Sequence, residues 1–336
     1  PEGKKHNYQV IIETNRGCPF LCTYCYWGRG GNTTKYRYHS LDRVFAEIDW
    51  IGKKKIEYVF NADSNFGMHK RDLEIAEKLV ETKLKTGYPD KFRTCWGKNI
   101  SEQIFKIANM LHAHGLEKGI TLARQTNSLE ALKNVKRDNI SLDTYKDLQH
   151  NFTRDNVETY SDMIIGMPGE TYDSFINGIS DVIENGQHNR IQFGNLTILP
   201  NAEMGDPEYR KKFGMEVVEA EIMNTHGSLL DNEEIYEHQQ MVIATNSMPK
   251  KDWAKTRAIS WMTAFLHFDK VMQIPFIMLH KLCDLSFREL IESFACNNQN
   301  KYPILSEIFN FFIKEAEKIQ NGGPEFCESK KWLNIW

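Results

Sequence analysis

Short apolar runs alternate with amphipathic patterns through roughly the first 205 residues, and this alternation constrains the fold more than any other feature. Residues 8–13 read as a strand. Ser40 then caps a helix whose apolar side is Val44, Phe45, Ile48 and Ile51. A strand over 56–60 leads through a loop at 61–67 to a helix carrying Ile75, Ala76, Leu79 and Val80. Further strands are predicted at 91–96, 119–123, 158–165 and 190–197, with helices over 101–112, 128–136, 142–150 and 172–184 between them. Strands separated by helices cannot pair as simple hairpins. They need crossover connections, so the sheet is mainly parallel with helices outside. Six such units fit an α/β fold, a partial (β/α)6 TIM-like barrel, although pattern alone does not separate it from an open doubly wound sheet. In either case the reaction surface lies at the C-terminal ends of the strands.

The pattern changes after Asn201. Residues 206–336 read as a mainly helical extension that covers a substrate, giving domains at 1–205 and 206–336. Trp253, Ile259, Trp261, Met262, Phe265 and Phe268 form one expected apolar cluster. A later helix is expected to bury Ile304, Ile308, Phe311, Phe312 and Ile313. The chain has 336 residues, 41% of them hydrophobic, enough for a large domain with an appendage. Its 42 Lys plus Arg nearly balance 45 Asp plus Glu, so no nucleic-acid partner is expected. No apolar run reaches the length of a membrane span, and the start lacks a signal-peptide core. Seven cysteines are too few for a disulfide scaffold of this size. Their odd number points to a reducing compartment, the cytoplasm.

Three of those cysteines, Cys18, Cys22 and Cys25, share the loop GCPFLCTYCYWG directly after the first strand. Three soft thiolates converging from one tight loop suit a cubane iron–sulfur cluster with one iron left open to an exchangeable ligand. Gly17 and Pro19 shape the turn, and Gly28 and Gly30 let backbone approach the cluster. Zinc is the alternative. It would need a fourth ligand such as Cys95, His39 or His69, and no paired CxxC lies nearby.

The CxxxCxxC spacing, with Tyr24 just before the third cysteine, resembles the radical SAM superfamily, and the resemblance covers about residues 8–205. It implies that Cys18, Cys22 and Cys25 hold a [4Fe–4S] cluster whose fourth iron chelates S-adenosylmethionine (SAM). One electron from an external donor then cleaves SAM to a 5′-deoxyadenosyl radical that attacks an unreactive carbon. Tyr24 falls beside the cofactors. Asp63, Ser64 and Asn65, in NADSNFG where the family commonly has GGE, are expected at the SAM ammonium, with a helix-capping loop as the alternative. Arg124 and Gln125 are expected at the carboxylate or ribose, with a structural ion pair as the alternative for the arginine. Ile165 and Gly166 of DMIIGMPGET, and Asn195 of the last strand, are expected near adenine.

The phrases ETNRGCPF, YCYWG and NADSNFG are most similar to the cobalamin-binding radical SAM group and related peptide-modifying enzymes. That group carries an N-terminal cobalamin domain, so an upstream domain outside this chain is expected and cobalamin is a further candidate cofactor. The resemblance implies modification of a peptide or natural product, with cobalamin-dependent C-methylation as one outcome. Another is epimerisation with a cysteine hydrogen donor. Cys296 is the first candidate for that donor, followed by Cys95, Cys283 and Cys327, each otherwise expected to be buried structural cysteine. A non-enzymatic iron–sulfur electron-transfer or structural protein is the third reading.

Overall fold

A computed structural model describes residues 8–28, 34–98, 102–117, 119–222, 237–295 and 301–325. In chain order the first elements are β1 (Gln9–Ile12), β2 (Asn15–Arg16), β3 (Arg37–Tyr38), α1 (Leu41–Lys54), β4 (Tyr58–Phe66), α2 (Lys70–Thr86), β5 (Lys91–Trp96) and α3 (Glu102–Ala113). They are followed by β6 (Gly119–Thr121), α4 (Leu129–Asn134), α5 (Leu142–Arg154), β7 (Glu158–Ile165), α6 (Tyr172–Glu184) and β8 (Arg190–Asn195). The order is α/β, with the strand–helix alternation of a partial (β/α)6 barrel. Ser40 caps α1 as expected, accepting from the Arg43 N–H at 3.3 Å, and α1 buries Val44, Ile48 and Ile51.

Contacts divide the chain into two compact units, neither a single stretch. One comprises 1–124, 137–162 and 185–189; the other comprises 125–136, 163–184 and 190–336. In the first unit β1 pairs in parallel with β4, β4 with β5, and β6 with the start of β7. Residues 61–66, expected as a loop, continue β4 instead. Between the pairs Asn61↔Thr94 and Phe66↔Trp96, β4 carries extra residues, a bulge that interrupts the ladder. Three consecutive polar residues disguise the strand; side-chain hydrogen bonds rather than apolar burial hold it. The cysteine loop lies between β2 and β3, whose short antiparallel pairing (Asn15↔Tyr38, Arg16↔Arg37) closes its base.

In the second unit the end of β7 lies beside β8, where the Leu196 N–H donates to the Ile165 carbonyl at 3.0 Å. Beyond β8 come β9 (Thr197–Ile198), α7 (Pro207–Lys212), β10 (Glu216–Glu221), β11 (His238–Ala244), α8 (Lys250–Thr263), α9 (Gln273–Cys283), α10 (Phe287–Ala295) and α11 (Pro303–Gln320). The extension is thus mainly helical but includes an antiparallel sheet in the order β10-β11-β9, which helical periodicity did not indicate. Trp253, Ile259, Met262 and Phe268 are buried as expected. The expected core of α11 needs correction: Ile304 is 72% and Phe311 48% exposed, and the helix buries Ala316 and Ile319 instead. Apolar side chains lie on more than one face of α11, so periodicity alone did not choose the packed face. No helix among the described residues is long and apolar enough to cross a membrane.

Candidate functional site

In the first unit the site is built from the cysteine loop and the bulged end of β4. Cys18 and Cys22 are buried, and Cys25 is half-buried. The Cys25 N–H donates to the Cys22 carbonyl at 3.1 Å, winding the loop tightly. Gly28 closes it: a Cβ there would stand 2.2 Å from the Phe20 carbonyl oxygen and 2.8 Å from that of Cys18. Glycine is required because the loop's own backbone occupies the space of a side chain.

The β4 bulge anchors this loop. Asp63 is fully buried. One of its oxygens accepts from the backbone N–H groups of Thr14 (2.7 Å) and Asn15 (3.1 Å). The other accepts from the Thr14 hydroxyl and from the Asn15 amide at 2.9 Å. Burial pushes the carboxyl upward and these hydrogen bonds pull against it. With four donors on two oxygens, the carboxylate is committed to residues leading into the loop. The structure thus places Asp63, expected at the SAM ammonium, against Thr14 and Asn15 at the entry to the loop. Ser64 extends the anchor, its hydroxyl donating to the Gly17 carbonyl at 2.5 Å. Asn65 reaches the ligand set itself: its amide donates to Cys18 Sγ at 3.1 Å and to Ser64 Oγ at 3.0 Å.

Lys98 was not among the residues read from the sequence. Its Nζ lies 3.1 Å from Cys22 Sγ and 3.7 Å from the centre of the Phe20 ring. The available signal was positional, since Lys98 follows the C-terminal end of β5, where the reaction surface was expected. Burial pushes the Cys25 thiol up, the Trp27 backbone opposes, and Cys22 and Cys18 add to the rise.

Tyr24 is held from the other side. Its hydroxyl accepts from Arg137 at 3.4 Å, and burial pushes its phenol well above the usual range. Arg137, also missed, donates to the Ala123 carbonyl at 2.7 Å and to the Asn139 side chain at 2.8 Å. Arg124 donates to the Ile140 carbonyl at 2.6 Å and lies over the Tyr145 ring, 5.5 Å from its centre. These contacts hold the guanidinium against backbone and an aromatic face.

The second unit holds Gln125, Ile165, Gly166 and Asn195. Gln125 has a left-handed backbone (φ 62°), and its carbonyl accepts from the Ile164 N–H at 2.9 Å. Ile165 is fully buried. Gly166 has φ 93° and begins the turn out of β7, with the position of a Cβ 3.5 Å from Trp253 Nε1. Asn195 donates to Glu325 at 2.5 Å. Glu170, in the same turn, is fully buried and accepts from the hydroxyls of Thr126 and Ser174.

Cys296, the first candidate hydrogen donor, lies outside the described residues, as do Gly30 and Cys327. Cys95 and Cys283, expected to be buried, are exposed free thiols. Cys283 ends α9, whose apolar side chains include the exposed Ile274, Met278 and Leu282. The helix that carries Cys283 leaves these apolar side chains in solvent, and the thiol with them. Among the described residues no group of three or more His, Cys, Asp or Glu side chains is placed to hold a single metal ion, so the zinc alternative gains no ligand set. A cubane asks for something different, one thiolate at each of three irons. Three free thiols on one loop, with donors at two of the sulfurs, fit that demand.

Comparisons with known proteins agree with this chemistry. The chain is 35% identical over 261 residues to the cobalamin-dependent radical SAM methyltransferase TokK of Streptomyces tokunonensis, covering 77% of this chain and 38% of that protein. It is 34% identical over 260 residues to the 2-(S-pantetheinyl)-carbapenam-3-carboxylate methyltransferase of Streptantibioticus cattleyicolor, with the same coverage of 77% and 38%. The chain thus spans well under half the length of these relatives. Among solved structures, the radical SAM methyltransferase TsrM of Kitasatospora setae, with cobalamin and a [4Fe–4S] cluster bound, matches with a TM-score of 0.56 at 14% identity, covering 93% of this chain and 61% of that one. TsrM with tryptophan and a SAM analogue matches with the same TM-score, 0.56, at 16% identity over 76% of this chain and 52% of that one. At such identities the likeness concerns the fold. The family model for the radical SAM superfamily matches residues 12–200, more than half the chain and all of the cysteine loop, and the chain belongs to that superfamily.

Proposed function

We propose that this chain is the radical-generating part of a cobalamin-dependent methyltransferase that alkylates an unactivated carbon of a small natural product. The superfamily's cofactors are a [4Fe–4S] cluster and SAM. The observation that carries the finer reading is the identity of 35% and 34%, each over 77% of this chain, with two methyltransferases, one described as cobalamin-dependent. The epimerase alternative finds no support in these relatives, and a peptide substrate is not needed to account for them.

The bound cluster and SAM would supply reductive cleavage of a sulfonium and a carbon radical. The protein's part is to hold, orient and exclude water. Cys18, Cys22 and Cys25 are the cluster ligands. Asn65 and Lys98 donate to two of their sulfurs. Asp63 and Ser64 keep the loop in register with β4. Burial of Cys18 and Cys22 limits solvent access to the ligand sulfurs. Residues 206–336 take the substrate-holding role, and an external one-electron donor in a reducing cytoplasm completes the system.

The test uses the full-length gene product, purified without oxygen. It should contain iron, sulfide and corrinoid, show a [4Fe–4S] signal perturbed by SAM, and form 5′-deoxyadenosine with reductant. Cys18→Ala, Cys22→Ala and Cys25→Ala together should abolish both the signal and the cleavage. SAM cleavage with no corrinoid, and solvent deuterium entering a peptide α-carbon, would replace methyl transfer with epimerisation. A cluster insensitive to SAM would replace the enzyme with an electron carrier.

A further inference from the structure

The geometry points to Lys98 as a charge-bearing positioning residue that sets the reduction potential of the cluster through Cys22. This rests on the cysteine loop holding an iron–sulfur cluster. Lys98 Nζ lies 3.1 Å from Cys22 Sγ, within hydrogen-bonding distance for sulfur. The ammonium is also 3.7 Å from the centre of the Phe20 ring, so the same loop that supplies the sulfur supplies a cation-binding face beside it. Cys22 is buried and Lys98 half-buried, which limits solvent screening of the pair. No carboxylate forms an ion pair with Lys98 among the described residues. Its charge is therefore directed at sulfur.

Cluster potentials depend on net charge, hydrogen bonds to the sulfurs and exposure. One-electron reduction by an external donor adds one negative charge to the cluster and its thiolates, with no bond made or broken. A fixed ammonium favours the more negative state, so Lys98 raises the potential and eases reduction. Asn65 at Cys18 is a neutral donor acting in the same direction more weakly.

The experiment is an EPR-monitored redox titration of the anaerobically reconstituted protein, with iron content matched between variants. Lys98→Met keeps the apolar stem over Phe20 and removes the charge. It should lower the midpoint enough to cut the reduced-to-oxidised ratio about tenfold at fixed poise, about 59 mV for a one-electron couple. Lys98→Arg should retain most of the wild-type midpoint. Lys98→Gln, a neutral donor, should fall between and decides the matter if Lys98→Met loads no cluster. An unchanged midpoint in the charge-removing variants overturns the inference, as does a loss of SAM affinity with no change in potential. If the wild-type chain itself takes up no cluster, the superfamily reading of the loop fails first and the role of Lys98 with it.

Discussion

Removing the Asp63 carboxylate tests whether the β4 bulge anchors the cysteine loop or binds cofactor. Asp63→Ala strips all four hydrogen bonds received by the buried carboxylate. The Thr14 hydroxyl and Asn15 amide can re-aim, but the two backbone N–H groups cannot. Each buried donor left unsatisfied costs about 1–3 kcal/mol, so the expected loss is about 4 kcal/mol. Asp63→Asn should be far milder. Its remaining oxygen still accepts from both backbone N–H groups. The new NH2 would face the Thr14 hydroxyl, which can turn to accept, and Asn15, whose buried Oδ1 makes no hydrogen bond and becomes available on an amide flip. A cost of about 1 kcal/mol follows from loss of the charge-assisted bonds. Urea unfolding measures both variants, and iron uptake after reconstitution reports on the loop. The alanine variant should lose stability and iron together, with the asparagine variant near wild type in both. An alanine variant within about 1 kcal/mol of wild type, loading iron normally but binding SAM weakly, would refute the anchoring argument and return Asp63 to the cofactor.

Two further predictions concern the same unit. Gly28→Ala forces a methyl group against two backbone oxygens of the loop, so it should cost about 1–3 kcal/mol and reduce iron incorporation, read by denaturation and iron analysis. Asp72 accepts from the N–H groups of Gly67 (2.8 Å) and His69 (3.0 Å), and burial pushes its carboxyl from 3.8 up to about 6. The folded state then binds the Asp72 proton more tightly than the unfolded chain. Stability from this group is present at low pH and falls as pH rises through the window from 3.8 to about 6, by about 3 kcal/mol. Asp72→Asn keeps an accepting oxygen for the helix start. Unfolding midpoints measured from pH 4 to 7 should show that slope in wild type and lose it in the variant.

Much of the fold was legible because its causes are local. The strands at 91–96 and 158–165 and the helix at 172–184 stand where apolar alternation and periodicity placed them. Ser40 caps α1 because an N-cap contact spans only three residues. Reading failed where packing chooses between locally equal options. The end of β4 looked like a loop because its polar residues gain their partners from across the sheet. The exposed face of α11 carries Ile304 and Phe311, which periodicity assigned to the core.

The chemistry of the ligands is local and legible along the chain: three thiols on one tight loop after a strand, too few to saturate a cubane and spaced to share one. Their surroundings depend on the folded chain. Lys98 meets a sulfur 76 positions away, and Asp63 meets Thr14 across 49. A ligand motif is read along the chain because one turn of loop builds it. The charges and hydrogen bonds that tune it arrive from separate strands, and parallel crossovers bring those ends together from positions that no local pattern connects.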